Sequence, residues 1–134
     1  MCITIVRTAW NARLVDALEA GVIARLTEHG VLKVRTILVG GAYELPLVVK
    51  RAAIRSDAVV AIGILIKGET MHFEYISSAV SSGLMAVQLE TNTPVIFGEL
   101  SVLSEAQAVE RCKPGSGLAS SWADTALTQI ATDP

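Results

Sequence analysis

The sequence predicts an α/β protein, a doubly wound three-layer α/β/α sandwich around a parallel four-stranded sheet. Three observations lead there. Residues 58–66, AVVAIGILI, are nine consecutive apolar or small residues bounded by Asp57 and Lys67. A Val- and Ile-rich run of that length, too short to span a bilayer, is the pattern of a central strand covered by helices on both faces. Strand and helix patterns then alternate along the chain as βαβαβαβαα. The segments between them are short enough for each helix to cross over to a parallel neighbouring strand.

Residues 2–7, CITIVR, form the first strand, and Thr8-Ala9-Trp10-Asn11 turns out of it with Asn11 placed to cap the next helix. Leu14, Leu18, Val22 and Leu26 recur every four residues, Val15 and Ile23 widen the stripe, and Gly30 supplies a stop. Residues 34–39 are a second strand, ending at Gly40-Gly41-Ala42-Tyr43-Glu44-Leu45-Pro46. Proline is tolerated in a first helical turn, so Pro46 opens a helix running to about residue 55. After the central strand, Phe73, Ile76, Val80, Leu84 and Val87 give a third helix its apolar face. Its other positions, Ser77, Ser78, Ala79, Ser81, Ser82 and Gly83, are small, which fits either close packing against a second copy or a solvated Ser-rich face. Residues 94–100 are the fourth strand, Ser104-Glu105-Ala106-Gln107 is a capping box, residues 113–117 are loop, and Trp122, Ala126, Leu127 and Ile130 mark a last helix.

At 134 residues, a single domain over 1–134 is expected, able to bury roughly two thirds of its unfolded surface. The composition is 51% hydrophobic and 18% charged. With no stretch near the ~20 apolar residues of a membrane span, the apolar excess points to burial between subunits and a homo-oligomer rather than to a membrane protein. A net charge of −2, two Trp, two Tyr and two Phe leave no basic, aromatic surface for nucleic acid. Cys2 and Cys112 are far apart, without metal spacing, and fit a reducing compartment; packing explains both. The start of the chain has no signal-peptide pattern, so the expected location is cytoplasmic.

In such a sheet, ligands bind at the carboxyl ends of the strands. Trp10 and Asn11, residues 40–44, and Lys67-Gly68-Glu69-Thr70-Met71-His72 all fall there, so three loops distant in sequence converge on one edge. Gly68 and Thr70, just before a helix, suit an anion such as a phosphate monoester, because the first helical N–H groups lack partners. Read locally, Gly68 is equally a tight turn and Thr70 a cap. His72 has the chemistry of a proton shuttle, imidazole ordinarily titrating near ~6.5, although a histidine at a helix start is more often a surface residue. Trp10 can stack on a flat heteroaromatic ring or serve as a core lid, and Glu44 can hold hydroxyls or complement a helix dipole. With His29 as the only other histidine no metal site is expected, and neither a nucleotide-binding glycine loop nor a nucleophilic triad is present.

Residues 63–76, GILIKGETMHFEYI, closely resemble lumazine synthases, the fungal type in particular. The likeness continues through Ala9-Trp10-Asn11, Gly41-Ala42-Tyr43-Glu44-Leu45-Pro46, Gly83-Leu84-Met85, Thr93-Pro94-Val95-Ile96-Phe97-Gly98 and Glu105-Ala106-Gln107-Ala108, leaving only the last twenty or so residues unmatched. It implies the flavodoxin-like lumazine synthase fold. It also implies a transferase making the penultimate compound of riboflavin biosynthesis, 6,7-dimethyl-8-ribityllumazine, from 5-amino-6-(D-ribitylamino)uracil and 3,4-dihydroxy-2-butanone 4-phosphate, with release of phosphate and water and no cofactor.

By position, the resemblance makes Trp10 the ring stacker, with Asn11 and the loop Gly41, Ala42 and Tyr43 around the pyrimidine and Glu44 on the ribityl chain. Ile64, Leu65 and Ile66 line the ring site, Gly68, Glu69 and Thr70 cradle phosphate, and His72 is the acid–base residue. Phe97, and Arg111 as the phosphate's charge partner, come from the neighbouring subunit of a pentamer or of a shell of twelve pentamers. The chain starts at its first strand, without the extension that shell-forming relatives pair against a neighbouring sheet, which favours the pentamer. Three positions depart from the family pattern: Gly40 replaces a proline, residues 54–57 are a few residues short, and Cys112-Lys113-Pro114-Gly115-Ser116-Gly117 replaces a glycine-rich loop carrying His or Lys. The last departure leaves, as the alternative function, a catalytically impaired pentameric flavin- or lumazine-binding or scaffold protein of the same fold.

Overall fold

The computed structural model describes residues 1–132. Four parallel strands, β1 (Cys2–Thr8), β2 (Lys33–Val39), β3 (Ala58–Ile66) and β4 (Val95–Val102), lie in the order β2-β1-β3-β4. The helices are α1 (Ala12–Glu28), α2 (Leu45–Ala53), α3 (His72–Thr91), α4 (Glu105–Cys112) and α5 (Leu118–Ala131). A 3₁₀ turn, Ala42–Glu44, precedes α2, and another, Pro114–Ser116, lies in the loop expected before the last helix. The doubly wound sandwich expected from the alternating pattern is therefore the observed architecture.

Strand periodicity of two sorts the side chains into two cores. Ile3, Ile5, Val60, Ile62, Ile64, Ile96 and Val102 face α1, α4 and α5, where Leu18, Val22, Leu26, Trp122 and Ala126 meet them. Val6, Val59, Ala61 and Val95 face α2 and α3 and pack on Leu45, Val49, Val80 and Leu84. The central strand is buried from Ala58 to Ile64, as its unbroken apolar run requires. β2 is an edge strand with mostly exposed side chains.

Helix ends follow local chemistry. Gly30 (φ +80°) closes α1: its N–H bonds Thr27 O at 2.9 Å and the Val31 N–H bonds Leu26 O at 3.0 Å, a Schellman stop with Leu26 and Val31 both buried. Ser104 caps α4 by accepting from the Gln107 N–H at 3.2 Å, but Gln107 Oε1 reaches back to the Leu103 N–H at 2.8 Å, one residue before the cap. β4 runs two residues past its expected end because its register with β3 continues to Ile66 opposite Val102. α5 starts a turn before Trp122, at Leu118.

Two expectations are corrected. Asn11 occupies the N-cap position of α1 without a side-chain cap; its backbone is left-handed (φ 56°) and its Nδ2 donates instead to Ile64 O at 3.2 Å, tying the first turn to the end of β3. The small face of α3 serves packing inside the subunit in part: a Cβ on Gly83 would lie 3.0 Å from Pro46 Cγ of α2, and Ser77 bonds Ser101 of β4.

Candidate active site

Beyond the carboxyl ends of β1, β2 and β3 lies a cavity of about 540 Å³. β1 contributes Thr8, and the turn after it Trp10 and Asn11. After β2 come Gly41 and the turn residues Ala42, Tyr43 and Glu44. The end of β3 provides Ile64, Leu65 and Ile66, and the first two turns of α3 provide His72 and Ile76. Of the three loops expected to converge, residues 10–11 and 40–44 line the cavity through Trp10, Asn11 and residues 41–44, and residues 67–72 reach it through His72 alone.

Each wall has a local cause. The Ala9 N–H bonds Val39 O at 2.9 Å, extending the β1–β2 ladder to the cavity's rim. Trp10 then leaves the sheet 73% exposed, so it is not a core lid. An added Cβ on Gly41 would lie 3.5 Å from Glu44 Oε2 and 3.6 Å from Trp10 Cδ1, which places carboxylate, indole edge and bare backbone within one small volume. Ile64 to Ile66 turn from buried to half-buried as β3 emerges and make an apolar floor. His72 is the first residue of α3; its N–H reaches Thr70 Oγ1 at 3.4 Å, a long contact that gives Thr70 a weak capping role. Lys67 Nζ lies 3.3 Å from Glu74 Oε1, across the base of that loop.

Thr8 and Ile76 border the cavity without having been singled out for it. Both were legible: Thr8 continues the Thr4, Val6 side of β1 to its carboxyl end, and Ile76 follows His72 by one helical turn. Gly68, Glu69 and Thr70 lie in the exposed loop between β3 and α3, next to the cavity's lining but not part of it. Phe97, 49% exposed in mid-β4, and Arg111, exposed in the last turn of α4 with Nη1 3.4 Å from Gln107 O, do not border it within the subunit. Among the described residues no group of three His, Cys, Asp or Glu side chains is placed to hold a metal ion, and no helix is long and apolar enough to cross a membrane. Cys112 is buried in the α1–α5 core, where burial pushes its thiol pKa up, and it is remote in character from a nucleophile.

A 3₁₀ turn with a glycine and a carboxylate, an exposed tryptophan, an apolar strand end and a histidine at a helix start thus surround one cavity. The family model for 6,7-dimethyl-8-ribityllumazine synthase matches residues 1–133. The chain belongs to this family. Among its relatives, the 6,7-dimethyl-8-ribityllumazine synthase of Mycobacteroides abscessus is 41% identical over 133 residues, covering 94% of this chain and 83% of that protein. The Schizosaccharomyces pombe enzyme is 43% identical over 120 residues, covering 86% of this chain and 76% of its own. The Pyrococcus furiosus enzyme is 43% identical over 110 residues, covering 81% and 70%. The expected resemblance to lumazine synthases is thereby established, and it extends through the region around and beyond Arg111 that departs from the family pattern.

Proposed function

We propose that this chain condenses 5-amino-6-(D-ribitylamino)uracil with 3,4-dihydroxy-2-butanone 4-phosphate to 6,7-dimethyl-8-ribityllumazine, the penultimate step of riboflavin biosynthesis. The observation that carries this is the cavity itself: in a chain of this family, Trp10, Asn11, Gly41 to Glu44, Ile64 to Ile66 and His72 border a single space of about 540 Å³. No observation favours a binding or scaffold protein over an enzyme.

In this assignment the pyrimidine lies between the Trp10 ring and the Ile64–Ile66 floor, held by Asn11 and the Ala42 backbone, with Tyr43 at the rim. Gly41 leaves the space that a side chain would take, and Glu44 receives ribityl hydroxyls. Gly68, Glu69 and Thr70, at the start of α3, bind the phosphate where unpaired N–H groups and the helix dipole favour an anion. The amine of the uracil attacks the ketone and water leaves, giving an imine. Loss of a carbon-bound proton then expels phosphate, and the ribitylamino nitrogen closes the ring with loss of a second water. His72 takes and returns the protons, a role worth typically 10²–10⁴-fold. Phe97 and Arg111 complete the site from a neighbouring subunit, Phe97 against the ring and Arg111 against the phosphate.

An oligomer is supported by the outer face of α3. Met71, Tyr75, Met85 and Leu89 are exposed there, with Ser78 and Ser82 between them, spaced alternately by four and three residues. That is the pattern of a helix that packs along a copy of itself. We assign a homopentamer, or a shell of twelve pentamers, working in the cytoplasm, where two free cysteines stay reduced.

Formation of the lumazine chromophore from the two substrates by the purified chain, followed beside the uncatalysed reaction, tests the assignment. A rate clearly above background is expected, and no excess at saturating substrate would sink it. Sedimentation velocity on the same sample reads the assembly, for which a monomer is the excluding result.

A further inference from the structure

The loop assigned to the phosphate runs between two charged side chains that have no role above. Lys67, the first residue beyond β3, donates its N–H to Val102 O at 2.9 Å, which fixes the base of its side chain at the end of the sheet. Its Nζ lies 3.3 Å from Glu74 Oε1, so the pair bridges the two ends of the loop. Glu74 is the third residue of α3 and the acid of its first turn. Its other oxygen, Oε2, is buried and has no hydrogen-bond partner among the described residues.

A carboxylate in that place bears directly on an incoming anion. The first N–H groups of a helix have no partner within it, and the helix rises about 1.5 Å per residue, so the third residue lies only a few ångströms along the axis from them. No side chain caps α3 at Met71, and the His72 N–H has only its long contact of 3.4 Å to Thr70 Oγ1. A Cβ on Gly68 would meet nothing within 4 Å, so the approach to these groups is open. An acid in the first turn complements the helix dipole, but toward a phosphate dianion the same charge is repulsive. At a separation of about 7 Å, even water-like screening leaves that repulsion worth roughly tenfold in affinity.

We infer that Lys67 is a positioning residue for the phosphate and acts through Glu74: its ammonium holds and neutralises the carboxylate, so that the start of α3 meets an anion with N–H groups and not with a negative charge. The assignment rests on residues 68–70 binding the substrate phosphate as described above. The ionisable side chains from 67 to 74 are Lys67, Glu69, His72 and Glu74, with Lys67 the only lysine or arginine. Among the described residues it is also the only cation at ion-pairing distance from Glu74.

Two other roles for the pair predict different variants. A tie that only closes the loop is lost equally when either partner is removed. A lysine that itself touches the phosphate is missed whether or not Glu74 is present. Neutralisation predicts neither pattern: removing the lysine uncovers the carboxylate, removing both side-chain charges restores a neutral helix start, and removing the Glu74 charge alone leaves a free ammonium beside the anion. An exposed pair of this kind contributes little to stability, so all these variants are expected to fold.

The test measures kcat and the KM for each substrate in wild type, Lys67→Met, Glu74→Gln, the double variant and Lys67→Arg, with calorimetric binding of inorganic phosphate to each protein alone. Lys67→Met is expected to raise KM for the phosphate substrate about tenfold, with KM for the pyrimidine and kcat within about twofold of wild type. The deficit is expected to shrink as ionic strength rises, because the charges involved are partly exposed and screened. The double variant and Lys67→Arg are expected to return to within about twofold of wild type, and Glu74→Gln to match wild type or to bind more tightly. Inorganic phosphate is expected to follow the same order. Glu74→Gln as weak as Lys67→Met assigns the pair to closing the loop, and a double variant as weak as Lys67→Met assigns Lys67 to direct contact. Either result overturns the inference, as does an unchanged Lys67→Met or a wild type that binds no inorganic phosphate. If none of the proteins turns over while phosphate binding keeps the expected order, the proposed function fails and the role of Lys67 stands.

Discussion

The two faces of the sheet are built from the same four strands and are used differently. Toward α1, α4 and α5 the packing is apolar and close: a Cβ on Gly21 would lie 2.7 Å from Ala119 Cβ, and one on Gly98 would lie 2.5 Å from Ala61 O and 3.2 Å from the Trp122 ring. Toward α2 and α3 lie the three buried polar residues found among the described ones, Thr4, Thr8 and Glu99, together with the half-exposed Phe97. Thr4 bonds Ser56 Oγ at 2.7 Å, Thr8 lines the cavity, and Glu99 bonds Ser101. One face is therefore packed by shape, whereas the other accepts the cost of buried polar groups and borders the candidate site through Thr8.

Substitutions on each face sharpen the contrast, and the largest effect belongs on the one bordering the site. His72→Ala is expected to lower kcat by about 10²–10⁴-fold in the condensation assay with the melting temperature unchanged, since the side chain is exposed and the α3 backbone does not depend on it. The mirror image is Ile62→Ala on the scaffold face. It removes a fully buried side chain, so a loss of about 2–5 kcal/mol in denaturant unfolding is expected, with kcat per folded molecule preserved. A drop in kcat equal to that of His72→Ala, measured where the variant is folded, would mean that the faces are not separable. Gly98→Ala is next, at about 3 kcal/mol, because its methyl group meets a backbone carbonyl that cannot swing aside. The equivalent change at Gly40, which has open space around it, is expected to leave stability nearly unaltered.

The scaffold face was the more legible of the two. Four-residue spacing from Leu14 to Leu26 and the run of residues 58–66 identify α1 and β3 because burial on one side or on both leaves a periodic signal. The cavity was legible in composition, since its residues sit at strand ends where topology brings loops together. What escaped was set by long-range contacts. The strand order β2-β1-β3-β4 is not written in any local spacing, and the fit of Gly83 against Pro46 depends on how α2 and α3 cross. Asn11 has an ordinary cap's sequence context but spends its amide on Ile64, fifty-three residues away. Glu99 broke the apolar pattern of β4, and nothing within the strand says whether a lone acid points to solvent or to the core; only α3 laid over that face decides it.

Glu99→Gln makes the sharpest cut between the faces, because the size of its effect depends on pH. An unfolded glutamate titrates near ~4.3, and in the folded chain burial holds Glu99 up at about 7. Below pH ~4 both states are protonated and the wild-type side chain carries no ionisation penalty. Between about pH 4.5 and 7 the folded state binds the extra proton, so wild-type stability falls as pH rises, and above about 7.5 the loss is complete. Glutamine keeps the shape and the donor but cannot ionise. The variant is therefore expected to match the wild type near pH 4 and to exceed it by about 1–3 kcal/mol at pH 8, the difference opening between those values. A constant offset at every pH would assign the effect to packing. A variant less stable at pH 8 would mean that the carboxylate is solvated or paired there, and the polar face would then cost the fold far less than its burial implies.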